Sequence, residues 1–248
     1  MLDAFNDVLN YSLLIGAVIA ILSAIIQGYS GFGGGLIIVP ALAILFGPIP
    51  AIAITSIAAL FGMAVLLPDA VKKAYWPEVA PVTIANVTAM SIGLLFLVSA
   101  DPTFIRHGMG VFILFATVVL MTGWTYSGQR NAFTSASVGA LSGGIMGSFG
   151  IPAGPFMVIY YLSSPVAPPV QRANMVVTVG VAIVFLIGGL YVQGAYIEET
   201  ILRTLVLVPA FVAGSWIGKY LFNVAPTTWF KKVIYAILLA TGVIALTI

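Results

Sequence analysis

Glycine and proline, rather than acids or histidines, hold the sites in this sequence where chemistry could be done. Two stretches stand out, GYSGFGGGLIIVPAL over 28–42 and GSFGIPAGPFMVIYYL over 147–162. Each interrupts a long apolar run, which predicts a broken helix followed by a new half-helix. A fresh helix N-terminus leaves its first amide N–H groups without intrahelical partners. It also carries about half a positive charge from the aligned peptide dipoles. Such an end binds an anion without any metal or ionised side chain. Gly31, Gly33, Gly34 and Gly35 would let the backbone approach a ligand closely. Gly150, Ala153 and Gly154 offer the same logic in the second stretch, where Pro152 and Pro155 lack N–H groups but suit a first helical turn.

Several polar side chains lie near these breaks. Gln27 is expected to end the first half-helix and Ser30 to sit in the break, and their polar atoms either meet a ligand or satisfy freed backbone groups. Thr55, Ser56 and Asn174 fall just inside the following spans, as ligand donors or as hydrogen bonds between helices. Asn86 shares a helical face with Thr83 and either lines a cavity or joins helices. Arg172 follows Pro168-Pro169 at a helix start, where a cation opposes the dipole. It either grips an anion bidentately or anchors the span at the membrane surface.

The elements that position these residues follow from composition. The chain has 248 residues, 61% hydrophobic and 6% charged, with nine basic and seven acidic side chains. A soluble domain carries about 25% charged residues, so the composition predicts an integral membrane protein. With no cysteine and the single His107, disulfides, thiolate metal sites, cysteine nucleophiles and histidine-rich metal clusters are excluded. No cofactor is expected, and an enzyme reading lacks its nucleophile–base pair. The scattered basic residues do not suit a nucleic-acid backbone. No strand–turn–helix context supports a dinucleotide reading of the glycines.

Charges fence the spans, because an ionised side chain at the bilayer centre costs about 3 kcal/mol or more. Uncharged runs of 61 residues separate Asp7 from Asp69, and 41 separate Arg130 from Arg172. A crossing needs roughly 20 apolar residues. The blocks predicted are 11–46, 50–68, 79–99, 103–124, 133–162, 170–192, 200–222 and 227–247, the first and fifth too long for one span. No Asp or Glu falls clearly within a block; Glu78, Asp101, Glu198 and Glu199 stand at the edges.

The chain also repeats itself. An offset of 119 places Gly31 on Gly150, Gly35 on Gly154, Pro50 on Pro169 and Thr55 on Asn174, and an offset of 121 places Ala74-Tyr75 on Ala195-Tyr196. Internal duplication is a mark of transporter folds. If each long block crosses once, the faces carry four and five basic residues, which is no bias. If each folds back at its glycines, one face collects Lys72, Lys73, Arg130, Arg172, Lys219, Lys231 and Lys232 and the other keeps Arg106 and Arg203. Cytoplasmic loops carry the Lys and Arg excess, so the folded-back arrangement is favoured. The expected fold is all-α, with two inverted repeats of about 120 residues, 1–125 and 126–248. Each repeat is a broken-helix hairpin (11–46 or 133–162) plus three transmembrane helices. Both termini are expected outside the cytoplasm. Gly139, Gly143 and Gly147, and Gly214 with Gly218, have the spacing of close helix packing.

The motif GFGGGLIIVPAL, the downstream Ala53-Ile54-Thr55-Ser56 and the second copy GIPAGPFMVIYYL resemble the sulfite exporter TauE/SafE family over nearly the whole chain. The resemblance implies a permease of the bacterial-type cytoplasmic membrane that moves sulfite, thiosulfate or a small organic sulfonate such as sulfoacetate. In the second copy Pro152 and Ala153 replace two glycines, so the two hairpins are not expected to hold an anion equivalently. The rival readings are an anion channel and a structural subunit of a membrane complex.

Overall fold

A computed structural model describes residues 11–30, 34–64, 67–152, 154–224 and 227–247. Among them every regular element is a helix, as the composition predicts. In chain order these are α1 (Tyr11–Ser30), α2 (Gly34–Phe46), α3 (Pro48–Ala64), α4 (Leu67–Lys73), α5 (Trp76–Ser99) and α6 (Pro102–Thr122), followed by α7 (Ala132–Phe149), α8 (Gly154–Leu162), α9 (Pro168–Val192), α10 (Glu198–Val224) and α11 (Thr227–Thr247). Among the described residues five helices are long and apolar enough to cross a membrane, namely α1, α5, α6, α9 and α10. Leu14, Ile84, Ile92, Leu205 and Trp216 project outward. An apolar exterior of this kind suits hydrocarbon, not water.

Local chemistry sets the helix ends. Pro48, Pro102 and Pro168 stand in first turns, where a missing N–H costs nothing. Asp101 caps α6 by accepting the Thr103 and Phe104 amides at 2.8 and 3.2 Å. Those two bonds hold its carboxyl below the ordinary carboxylate range. Asn131 caps α7 through the Thr134 amide at 2.9 Å. Gly150 ends α7 with φ +64°, a left-handed conformation that L side chains rarely adopt.

The packing is reciprocal between the two halves of the chain. The most extensive helix pairs are α5 with α7 and α1 with α10, each joining one half to the other. In the first pair, Gly139, Gly143 and Gly147 lie on the backbone of Val82, Asn86 and Met90 in ascending order, so α5 and α7 run parallel. A Cβ on Gly143 would stand 2.0 Å from the Asn86 carbonyl oxygen. Only glycine allows so close an approach, and backbone proximity replaces the hydrophobic drive that lipid cannot supply. Gly28 on Ser215 and Gly214 on Ile21 make the equivalent contacts of α1 with α10. The 25-residue α9 corresponds to the stretch of the first half that holds α3 and α4, where the offset between the copies steps from 119 to 121.

Candidate functional site

The second long block turns back on itself. Ser135, in the first turns of α7, bonds Tyr160, near the end of α8, at 2.7 Å between hydroxyls. The block therefore leaves and returns at one end of the molecule, and its break lies far from that end. From Ser135 to Phe149 at 1.5 Å per residue is about 21 Å. Gly34 begins α2, and α1 continues past Gln27 to Ser30.

At the tips the two breaks meet. A Cβ on Gly35 would lie 2.5 Å from Pro152 Cγ, and one on Gly150 would lie 2.1 Å from Ile52 Cδ1. Gly34 abuts its own hairpin, with Gln27 Oε1 2.7 Å and the Ser23 carbonyl 2.6 Å from where its Cβ would stand. Ile151 is fully buried. Two half-helix starts, Gly34 and Gly154, thus flank one central contact made of residues from both copies. Gly31, Gly33 and Ala153 lie outside the described residues. Ser30 is the last residue of α1.

The other expected site residues separate into four places. Gln27 is at the tips. Thr55 and Ser56 on α3 bond their own helix, to Ala51 and Ala53 carbonyls at 2.8 and 2.9 Å, and Ser56 also meets the Tyr196 hydroxyl at 3.3 Å. Burial pushes that phenol's pKa up. Asn174 is fully buried at the far end of the molecule from the tips of α7 and α8, accepting the Tyr75 amide at 2.8 Å and donating to Glu78 at 3.1 Å. Arg172 is exposed beside it near the start of α9. Asn86 is fully buried on α5 against Gly143, and neither its Nδ2 nor its Oδ1 has a partner among the described residues.

One group of residues shows no motif in the sequence. Glu78, read there as a span-edge carboxylate, is 6% exposed and pairs with Arg130 at 2.5 Å. Ser164 and Asn174 bond its other oxygen at 3.2 and 3.1 Å. Arg130 also donates to the Tyr160 carbonyl at 2.6 Å and stacks over the Tyr160 and Tyr126 rings. The network ties α5 of the first half to α8 and α9 of the second. The sequence signal for it is slight: with the offset of 121, Glu78 matches Glu199, which pairs with Arg203 on its own helix. Ser23 and Ser142, both fully buried, also escape motif reading, although the offset of 119 places one on the other.

Among the described residues no three His, Cys, Asp or Glu side chains come together as a metal site. What the described residues place at the tips is two half-helix starts, Gly34 and Gly154, with the Gln27 amide beside the first, and a helix N-terminus is a place where an anion can bind without covalent chemistry.

The model of the sulfite exporter TauE/SafE family matches residues 16–244, so the chain belongs to that family of membrane transporters. No curated protein and no solved structure matches the chain.

Proposed function

We propose that this member of the sulfite exporter TauE/SafE family is a secondary permease of the cytoplasmic membrane. Its substrate is sulfite, thiosulfate or a small organic sulfonate, held near the bilayer midplane between the half-helix N-termini of two inverted hairpins. The observation that carries this reading is the approach of Gly35 to Pro152, which brings the two breaks, 119 residues apart in the duplicated sequence, to one place. Broken helices at a repeat interface are where transporters bind anions, because the positive dipole ends need no counter-charge from the protein.

Six contacts support inversion. α5 runs parallel to α7, through Val82–Gly139 to Met90–Gly147, and to α9, through Glu78–Asn174 and Leu94–Gly189. The α7–α8 hairpin opens at the Glu78 end, through Ser135–Tyr160. Arg203, at the opposite end near the start of α10, stacks on Phe46 at the end of α2, so the first hairpin opens there. Lys72, Lys73, Arg130 and Arg172 then share one end while Arg106 and Arg203 share the other, the grouping that the folded-back charge count requires. By the positive-inside bias the Glu78 end is cytoplasmic.

Counterflow of labelled sulfite in proteoliposomes tests the reading, with thiosulfate, sulfoacetate and taurine in parallel and chloride and sulfate as competitors. Saturable counterflow of one sulfur anion is the expected result. Non-saturable flux would favour a channel, and no flux of any of these anions would remove the substrate class.

A further inference from the structure

Several buried hydroxyls on these helices satisfy themselves on a carbonyl of the preceding turn. Thr117 bonds the Ile113 carbonyl at 2.7 Å, Thr204 the Thr200 carbonyl at 2.7 Å and Ser56 the Ala53 carbonyl at 2.9 Å. Ser23 and Ser142 do not. Both are fully buried, and neither Oγ has a partner among the described residues. A buried polar group without a partner is destabilising, and each such group in a native fold calls for a reason.

Their positions supply one. The offset of 119 that aligns the two breaks places Ser23 on Ser142, so the anomaly occurs twice, at the same point of each copy. Thr200, a third fully buried hydroxyl without a partner among the described residues, has no such match, since Val79 stands at its counterpart. Ser23 lies on the face of α1 that meets the start of α2, because its carbonyl abuts Gly34. Ser142 lies two turns beyond Ser135 on the face of α7 that reaches α8 through Tyr160. Each hydroxyl therefore flanks the half-helix of its own hairpin.

We propose that Ser23 and Ser142 are paired hydroxyl donors to the transported anion, one from each hairpin, completing the hydrogen-bond shell begun by the half-helix amides. The inference rests on the permease reading above and narrows its substrate to anions whose head carries two or more acceptor oxygens, as sulfite and sulfonates do. One hydroxyl then binds one oxygen from each side, and a pair of neutral donors leaves the anion free to depart.

The test uses purified full-length protein with sulfite as probe, in Ser23→Ala, Ser142→Ala and the double variant. Two quantities are read: KM in counterflow, and the sulfite concentration giving half of the ligand-induced rise in melting temperature. Loss of one hydrogen bond to a charged ligand weakens binding about ten-fold or more. Each single variant is expected to raise both quantities by roughly that factor, and the double variant by more. Removing a partnerless buried hydroxyl should not lower the melting temperature without ligand. A purely structural hydroxyl would leave KM and the half-rise concentration at wild-type values, and that result in both single variants overturns the inference while wild-type counterflow leaves the permease reading standing. If wild type neither carries nor binds sulfite, thiosulfate or a sulfonate, both fall. Should an Ala variant fail to fold, Ser→Cys at the same position keeps the volume with a weak donor and is read in the same way.

Discussion

Glu78 and Arg130, 52 residues apart in sequence, pair at 2.5 Å in a buried network that joins the two halves of the chain. The carboxylate's second oxygen takes Ser164 and Asn174, and the guanidinium's second nitrogen takes the Tyr160 carbonyl. Each partner is satisfied on several sides, the condition under which a buried ion pair is tolerated.

Breaking this pair from one side should be costly. Arg130→Ala leaves a buried carboxylate uncompensated, an effect worth about 3–5 kcal/mol in buried pairs. The expected outcome is a fall in melting temperature in detergent, measured by intrinsic fluorescence. Arg130→Ala with Glu78→Gln should recover part of it. Equal destabilisation by the single and double variants would show that the charge is not what matters.

Gly35→Ala should impair transport more than folding. The new Cβ would meet Pro152 Cγ at 2.5 Å, at the contact between the two tips. We expect at least a ten-fold loss of counterflow rate with monodisperse protein still recovered. Wild-type transport by Gly35→Val would place the anion elsewhere.

Gly143→Leu should act the other way round, through assembly of the helices. Its Cβ would stand 2.0 Å from the Asn86 carbonyl oxygen on a backbone that cannot move aside. Overpacking of this kind costs about 1–3 kcal/mol or more. The checks are yield and melting temperature, and both should fall; Gly144→Ala, where a Cβ meets nothing within 4 Å, is the control.

Asp101 supplies a pH test outside the spans. The Thr103 and Phe104 amides lower its pKa in the fold. A lowered carboxylate pKa means stability that is present above the ordinary range and lost as pH falls through the folded value. Asp101→Asn keeps a capping oxygen without the charge. The difference in melting temperature between wild type and Asp101→Asn should therefore stay constant from neutral pH to the ordinary carboxylate range and change only below it. A change near neutral pH would contradict the assignment.

Arg172 separates surface from site. It is exposed at the start of α9 beside the Glu78 network, not at the tips. Arg172→Ala should keep KM for sulfite within about two-fold, and a ten-fold rise would bring Arg172 into the anion's path.

What the sequence determined by itself is what local chemistry controls. A chain 6% charged has no stable place in water, so its helices and their apolar exterior follow from composition. The glycine-rich interruptions mark where α1 gives way to α2 and α7 to α8, because Gly and Pro act on the backbone directly. The spacing of Gly139, Gly143 and Gly147 already marks a packing face. Tertiary structure decided which residues face one another. Nothing local says that Gly35 meets Pro152, or that Asn174 holds Glu78 and the Tyr75 amide. Charge fences placed Glu78 at a span edge, but its burial depends on Arg130 arriving from a loop 52 residues away. Ser23 and Ser142 look like ordinary helical serines in the sequence. Only the packing of each hairpin leaves their hydroxyls buried and partnerless, because a hydroxyl's free energy is set by the atoms around it and not by its neighbours along the chain.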